Sequence, residues 1–171
     1  GRTFEGKQTV CHDSTVNEVQ FALQETFDID STWTSVNSAT LIYSATYFSV
    51  PTILTVSNTS FSKKNIGAKK TFTTGTGAHD VSFAIPIISC VNTVIWPYSS
   101  TQVPVKVSVK DNLGNVVTTG NYLTAGSYNL SFTPATAGAT YTIEFLATNV
   151  NPISNFQLDD VLISFDDATT L

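Results

Sequence analysis

"VPVKVSVKDNLGNVV", residues 103–117, decides the fold. Val103, Val105, Val107 and Val109 alternate with Pro104, Lys106, Ser108 and Lys110, so an extended chain carries one apolar and one wet face. Asp111, Asn112, Gly114 and Asn115 then supply turn chemistry before a second run starts at Val116. The stretch predicts an antiparallel hairpin.

The same rhythm recurs on either side. "SYNLSF" alternates through Tyr128, Leu130 and Phe132, "YTIEF" through Tyr141, Ile143 and Phe145, and "VSFAIPI" through Val81, Phe83, Ile85 and Ile87. Each run is bounded by Gly, Pro, Ser or Asn, and "TPATAGAT" (133–140) reads as turns between strands. In "STVNEVQFALQETF" (14–27), Thr15 and Glu18 have capping-box spacing, but Val19, Phe21 and Leu23 alternate, which favours a strand. Short strands at regular spacing predict an all-β sandwich or barrel. No internal boundary or fixed repeat interrupts the pattern, so residues 1–171 are read as one domain.

Composition narrows the function. The chain is 42% hydrophobic and only 12% charged, against about 25% charged in an average soluble domain. Thr, Ser and Asn must therefore supply much of the polar surface, which suits an extracellular or cell-surface protein. With a formal charge of −5 and Arg2 as the sole arginine, electrostatic binding of DNA or RNA has little to draw on. Lys63, Lys64, Lys69 and Lys70 form the one basic cluster and read as a solvated loop. No stretch is apolar for long enough to predict membrane insertion. Absence of methionine, with a polar opening, points to a mature or excised fragment. Cys11 and Cys90 either close one long loop as a disulfide or stand as two buried thiols. Neither has a partner at zinc-ligand spacing, and His12 and His79 lie far apart.

"NFQLDDVLISF" (155–165) places two carboxylates in what is otherwise a buried strand. Phe156 and Leu158 share one phase, whereas Val161, Ile163 and Phe165 share the other, so the alternation slips across Asp159 and Asp160. A β-bulge there would turn one aspartate inward and the other toward solvent. An inward carboxylate needs a hydrogen-bond donor, a positive partner or a cation, and calcium collects carboxylates and carbonyls from separate segments. Hydrogen bonding to turn amides is the other reading.

"FQLDDVLISF", "VKVSVKDNLGNVV" and "GSYNLSFTPATAGATYTIEF" together resemble the C-terminal half of jelly-roll carbohydrate-binding modules and related galactose-binding-like domains of secreted bacterial proteins. Upstream, "ETFDIDSTW" is similar to their opening Phe-Glu/Asp followed by Trp, and "SVPTILTVSN" to the strand after it. The resemblance covers about residues 25–165 and implies an antiparallel β-sandwich of jelly-roll type, its opening strand beside its final one. It also implies a structural calcium joining an acidic residue near the first strand to the aspartate of "DDV". Asp28 and Asp159 are the matching positions, Asp160 is the neighbouring candidate, and "RTFEGK" makes Glu5 a rival to Asp28. Trp33 matches a position commonly packed inside.

A glycan partner needs flat apolar faces for stacking, with amide, carboxylate and hydroxyl groups for its hydroxyls. Trp96 and Tyr98 flank Pro97 in "IWPYSS", outside a clear strand pattern, and Tyr43 and Tyr47, four apart, share a strand face. These four are the candidate ligand contacts. Catalysis is not expected. Asp159 and Asp160 nominally point to opposite faces, His12 and His79 lack a nucleophile motif, and "GTGAHD" (75–80) precedes a strand rather than a helix. Asn58-Thr59-Ser60 and Asn129-Leu130-Ser131 match the glycosylation pattern.

The expected function is a non-catalytic carbohydrate-binding module of a secreted or surface protein, attached to neighbouring domains or subunits. The alternative is a structural or adhesive β-sandwich of a bacterial surface fibre or virion appendage, making protein–protein contacts.

Overall fold

The computed structural model describes residues 9–12, 15–28, 31–44, 53–58, 65–94, 99–148, 150 and 154–170. Among these there are fifteen strands and no helix. In chain order they are β1 (Thr9–His12), β2 (Thr15–Glu25), β3 (Thr34–Val36), β4 (Thr40–Ser44), β5 (Ile53–Ser57), β6 (Ile66–Thr73), β7 (His79–Ile85) and β8 (Ile88–Ser89). They continue with β9 (Val91–Val94), β10 (Ser99–Gln102), β11 (Val105–Lys110), β12 (Val116–Tyr122), β13 (Gly126–Phe132), β14 (Thr140–Ala147) and β15 (Asn155–Thr170).

Two antiparallel sheets form the sandwich. In the first, β15 is central. One of its edges pairs with β5 over Asn155 to Leu158 and with β2 over Val161 to Thr170, and the other edge takes β8 and β7. β1 extends this sheet beyond β2, β4 beyond β5, and β13 beyond β7. The second sheet has the order β12-β11-β14-β6-β3, and β9 with β10 makes a separate ribbon. The opening and closing strands thus lie side by side, as a jelly roll requires.

Alternation dictates what each strand buries. β14 sends Tyr141, Ile143, Phe145 and Ala147 inward, and β7 sends His79, Val81, Phe83 and Ile85 to meet them. Aromatic rings lock the layers together: Phe83 meets Phe145 edge-on at 5.4 Å, and Phe72 meets Phe132 at 6.1 Å. Each fully buried phenylalanine contributes about 1.5–3 kcal/mol. The predicted hairpin is present, with Asp111 Oδ1 accepting the N–H groups of Leu113 and Asn115 at 2.9 Å each and Gly114 at φ 85°. These bonds hold the Asp111 carboxyl below the usual carboxylate range.

One sequence expectation is corrected, and one alternative left open is resolved. Ile87 does not continue the buried phase of β7: Pro86, lacking an N–H, follows the strand's last residue, and Ile87 is 44% exposed. Cys90 is a free, buried thiol that donates to the Asn155 carbonyl at 3.4 Å, so the Cys11–Cys90 bridge is not formed. Burial pushes this thiol up to about 12, which keeps it protonated and unreactive.

"GTGAHD" is a structural turn. His79 is fully buried; its Nε2 accepts the Gly75 N–H at 3.0 Å and its Nδ1 donates to the Gly77 carbonyl at 2.8 Å, which fixes one neutral tautomer. The ring stacks on Phe165 at 4.8 Å. A Cβ on Gly75 would lie 2.1 Å from that phenyl ring, so only glycine fits there.

Candidate functional site

The bulge in β15 is where the phase slip predicts it. Pairing with β7 steps from Asp159 opposite Ala84 to Leu162 opposite Ser82, so Asp160 and Val161 together face the single residue Phe83. Asp160 sits at φ 48°, a left-handed conformation that aspartate tolerates better than most residues. The extra residue moves the buried phase from Phe156 and Leu158 to Val161 and Ile163, all four fully buried.

The two carboxylates part company at this point. Asp159 is buried, and its Oδ1 accepts the Asp160 N–H at 2.9 Å. Burial, reinforced by the Asp160 charge, raises its carboxyl above the ordinary aspartate range. Asp160 is half-buried and lines a cleft of about 200 Å³ together with Ser82, Phe83, Ala84, Ser127, Tyr128 and Asn129. Register builds the cleft: β13 places Ser127 opposite Ala84 and Asn129 opposite Ser82, on the face of β7 turned away from the core. Among the described residues, Asp160 Oδ1 is the one buried side-chain polar atom without a hydrogen-bond partner.

A third acidic residue behaves differently. Glu25, at the end of β2, is buried, yet its Oε1 accepts the Trp33 indole N–H at 2.8 Å and the Ser31 hydroxyl, while Oε2 accepts the Phe27 N–H at 3.3 Å. This holds Phe27 at φ 59°, with its ring 5.8 Å from Trp33. Trp33 is core, as its position implied. Glu25 carries the glutamate of the "ETF" stretch, but its partnership with Trp33 spans a loop and leaves no local pattern.

Of the predicted ligand contacts, Tyr43 lies on β4, is 43% exposed, and accepts the Trp33 backbone N–H at 2.8 Å through its hydroxyl. Tyr47, Trp96 and Tyr98 lie outside the described residues, as do Glu5, Lys63 and Lys64. Asp28 is exposed just beyond β2. Among the described residues, no three His, Cys, Asp or Glu side chains gather as a metal site would require. Asn58 is buried, its side-chain amide donating to the Val150 carbonyl at 3.1 Å, so glycosylation would have to displace a core contact; Asn129 is exposed.

No protein-family model matches the chain, and no curated protein matches it. Solved structures do. An arabinose-bound α-L-arabinofuranosidase, MgGH51, aligns over 85% of this chain with a TM-score of 0.56 and 14% identity. The CBM22-1-GH10 modules of Clostridium thermocellum xylanase 10B, complexed with xylohexaose, align over 84% with a TM-score of 0.55 and 17% identity. The chain shares the jelly-roll fold of carbohydrate-binding modules.

It spans 27% and 28% of those two longer chains, and 93% of the CBM22-1 xylan-binding domain of Paenibacillus barcinonensis Xyn10C, which aligns at 14% identity over 84% of this chain with a TM-score of 0.48. What is common at such identity is the sandwich. The side chains presented on it are this chain's own.

Proposed function

We propose that the chain is a non-catalytic carbohydrate-binding module of a secreted or cell-surface protein, joined to further domains. The observation that carries this reading is the two-sheet jelly roll, shared over most of its length with a xylanase structure that holds xylohexaose. Tyr43 supports it: an exposed ring, tethered through its hydroxyl to the Trp33 backbone, is a stacking surface that loses little entropy on binding. Asp159 and Asp160 do not make a hydrolytic acid/base pair, because Asp159 is buried and accepts the bulge amide while Asp160 faces the cleft.

Stacking contacts are assigned to Trp96 and Tyr98, with Tyr43 and Tyr47 as secondary ones. An array of xylo-, cello-, manno- and arabino-oligosaccharides tests this: Trp96→Ala should weaken the best binder about tenfold or more. Undiminished binding by Trp96→Ala removes that assignment, and no binding by the wild type removes the function.

Calcium belongs to this proposal as a structural staple, with Asp159 as the final-strand ligand and Asp28 or Glu5 as the first-strand one. The described carboxylates would need main-chain oxygens to reach the roughly six to eight ligands calcium takes. If calcium binds the folded chain, a chelator lowers the melting temperature by linkage. An unchanged melt after verified metal removal returns Asp28 and Asp159 to hydrogen-bonding duties.

One observation favours the second reading, a structural or adhesive domain. Leu113 is 80% exposed at the β11–β12 turn, with Val116 50% exposed beside it. Concentration-dependent self-association abolished by Leu113→Ser would support that reading.

A further inference from the structure

We infer that the cleft over β7, β13 and β15 is a monosaccharide subsite that recognises a neutral ligand by hydroxyl hydrogen bonds rather than by stacking. The inference rests on the carbohydrate-binding reading and assigns it a second surface, built from residues other than Trp96, Tyr98, Tyr43 and Tyr47.

The lining chooses the ligand. Asp160 brings a carboxylate to the cleft, an acceptor that asks a ligand for a donor. Ser82, Ser127 and Asn129 line the same cleft and carry hydroxyl and amide groups, which both give and take hydrogen bonds. Among the described residues no basic side chain lines the cleft, which disfavours an anion. One carboxylate with two hydroxyls and an amide is too poor a donor set for calcium.

Stacking is excluded by the fold. Phe83 turns its ring into the core, and the Tyr128 ring packs on Tyr122 at 4.2 Å and on Phe83 at 6.0 Å. A volume of about 200 Å³ accommodates one sugar ring rather than a chain. Among the described strands β13 pairs only with β7, so the cleft lies at the edge of the described sheet, where a terminal or branching sugar unit can enter from the side.

The bulge makes this arrangement possible. Without the extra residue, the aspartate after Asp159 would follow strand alternation toward the core; the left-handed turn at Asp160 instead brings its carboxylate beside Ser82 and Ser127.

The test is a titration of the ¹⁵N-labelled chain with the same four oligosaccharide classes, and separately with calcium chloride, following the backbone amides of residues 82–84, 127–129 and 160. Asp160→Asn preserves shape and tolerates the left-handed conformation. Oligosaccharide-induced shifts at these amides, with affinity at this site lowered about 10- to 100-fold in Asp160→Asn and a few-fold in Ser127→Ala, are expected. They should persist in Tyr43→Ala. Binding that moves other amides and is indifferent to Asp160→Asn overturns the subsite but leaves the carbohydrate reading standing. Binding of none of the four overturns both, and saturable shifts at these amides with calcium alone would make this a cation site instead.

Discussion

The end of β2 and the bulge of β15 each hold a carboxylate out of solvent, and they treat it in opposite ways. Glu25 is surrounded by donors: an indole N–H, a hydroxyl and a backbone amide occupy both of its oxygens. Asp160 has one shielded oxygen that nothing in the protein satisfies, and the residue lines a cleft. A carboxylate whose valences are filled internally is part of the scaffold, and one left wanting a donor is available to a ligand. The two acidic residues are separated less by burial than by who supplies their hydrogen bonds.

The comparison breaks most decisively at Glu25. Glu25→Ala strands the Trp33 indole N–H and the Phe27 amide in the core, and should lower unfolding free energy by about 3 kcal/mol. In urea, the midpoint falls while the slope is preserved. A change no larger than that of an ordinary surface substitution would mean that the donors around Glu25 contribute nothing. Trp33→Phe separates the ring from its N–H: the packing against Phe27 and Phe145 largely remains, one bond to a charged acceptor is lost, and about 1.5–2 kcal/mol should go with it.

Asp159 sharpens the contrast through pH. Its carboxyl is raised in the folded state chiefly by burial, so the fold binds this proton more tightly than the unfolded chain does. Its contribution is therefore fully present in acid, below the ordinary aspartate range, and is lost as pH rises through the raised value. Metal-free Asp159→Asn should accordingly melt above the wild type at neutral pH and level with it in acid. A variant that melts lower at neutral pH would show the ionised carboxylate to be stabilising. The smallest effect belongs to Asp160→Asn, whose stability should stay within about 0.5 kcal/mol of the wild type by urea unfolding, since its buried Oδ1 makes no internal bond that could be lost. A larger loss would place Asp160 in the scaffold beside Glu25.

Much of the sandwich was legible because strand alternation is a local signal. The hairpin around Asp111 to Asn115 and the buried phases of β13 and β14 follow from residues two apart. The bulge was legible for the same reason, since a slip of phase between Leu158 and Val161 is written along one strand. Ile87 misled because alternation continues past Pro86 although the ladder to β13 does not. Cys90 could not be settled from spacing, since pairing depends on where a distant thiol lands. The cleft was invisible: Ser82, Ser127 and Asp160 are unremarkable serines and one of two aspartates until the β13–β7 and β15–β7 registers set them side by side. The Glu25–Trp33 bond escaped for a related reason, as its partners stand eight positions apart with no periodicity to link them.

β15 follows every other described strand in the sequence yet sits in the middle of its sheet, touching β2, β5, β7 and β8. During synthesis those four strands leave the ribosome with their inner edges bare, and no partner exists for them until the final segment emerges. Assembly of this layer is thus a late, long-range closure in which one segment zips several waiting edges at once. Until that moment the nascent chain exposes the kind of open ladder that invites pairing with a neighbouring polypeptide.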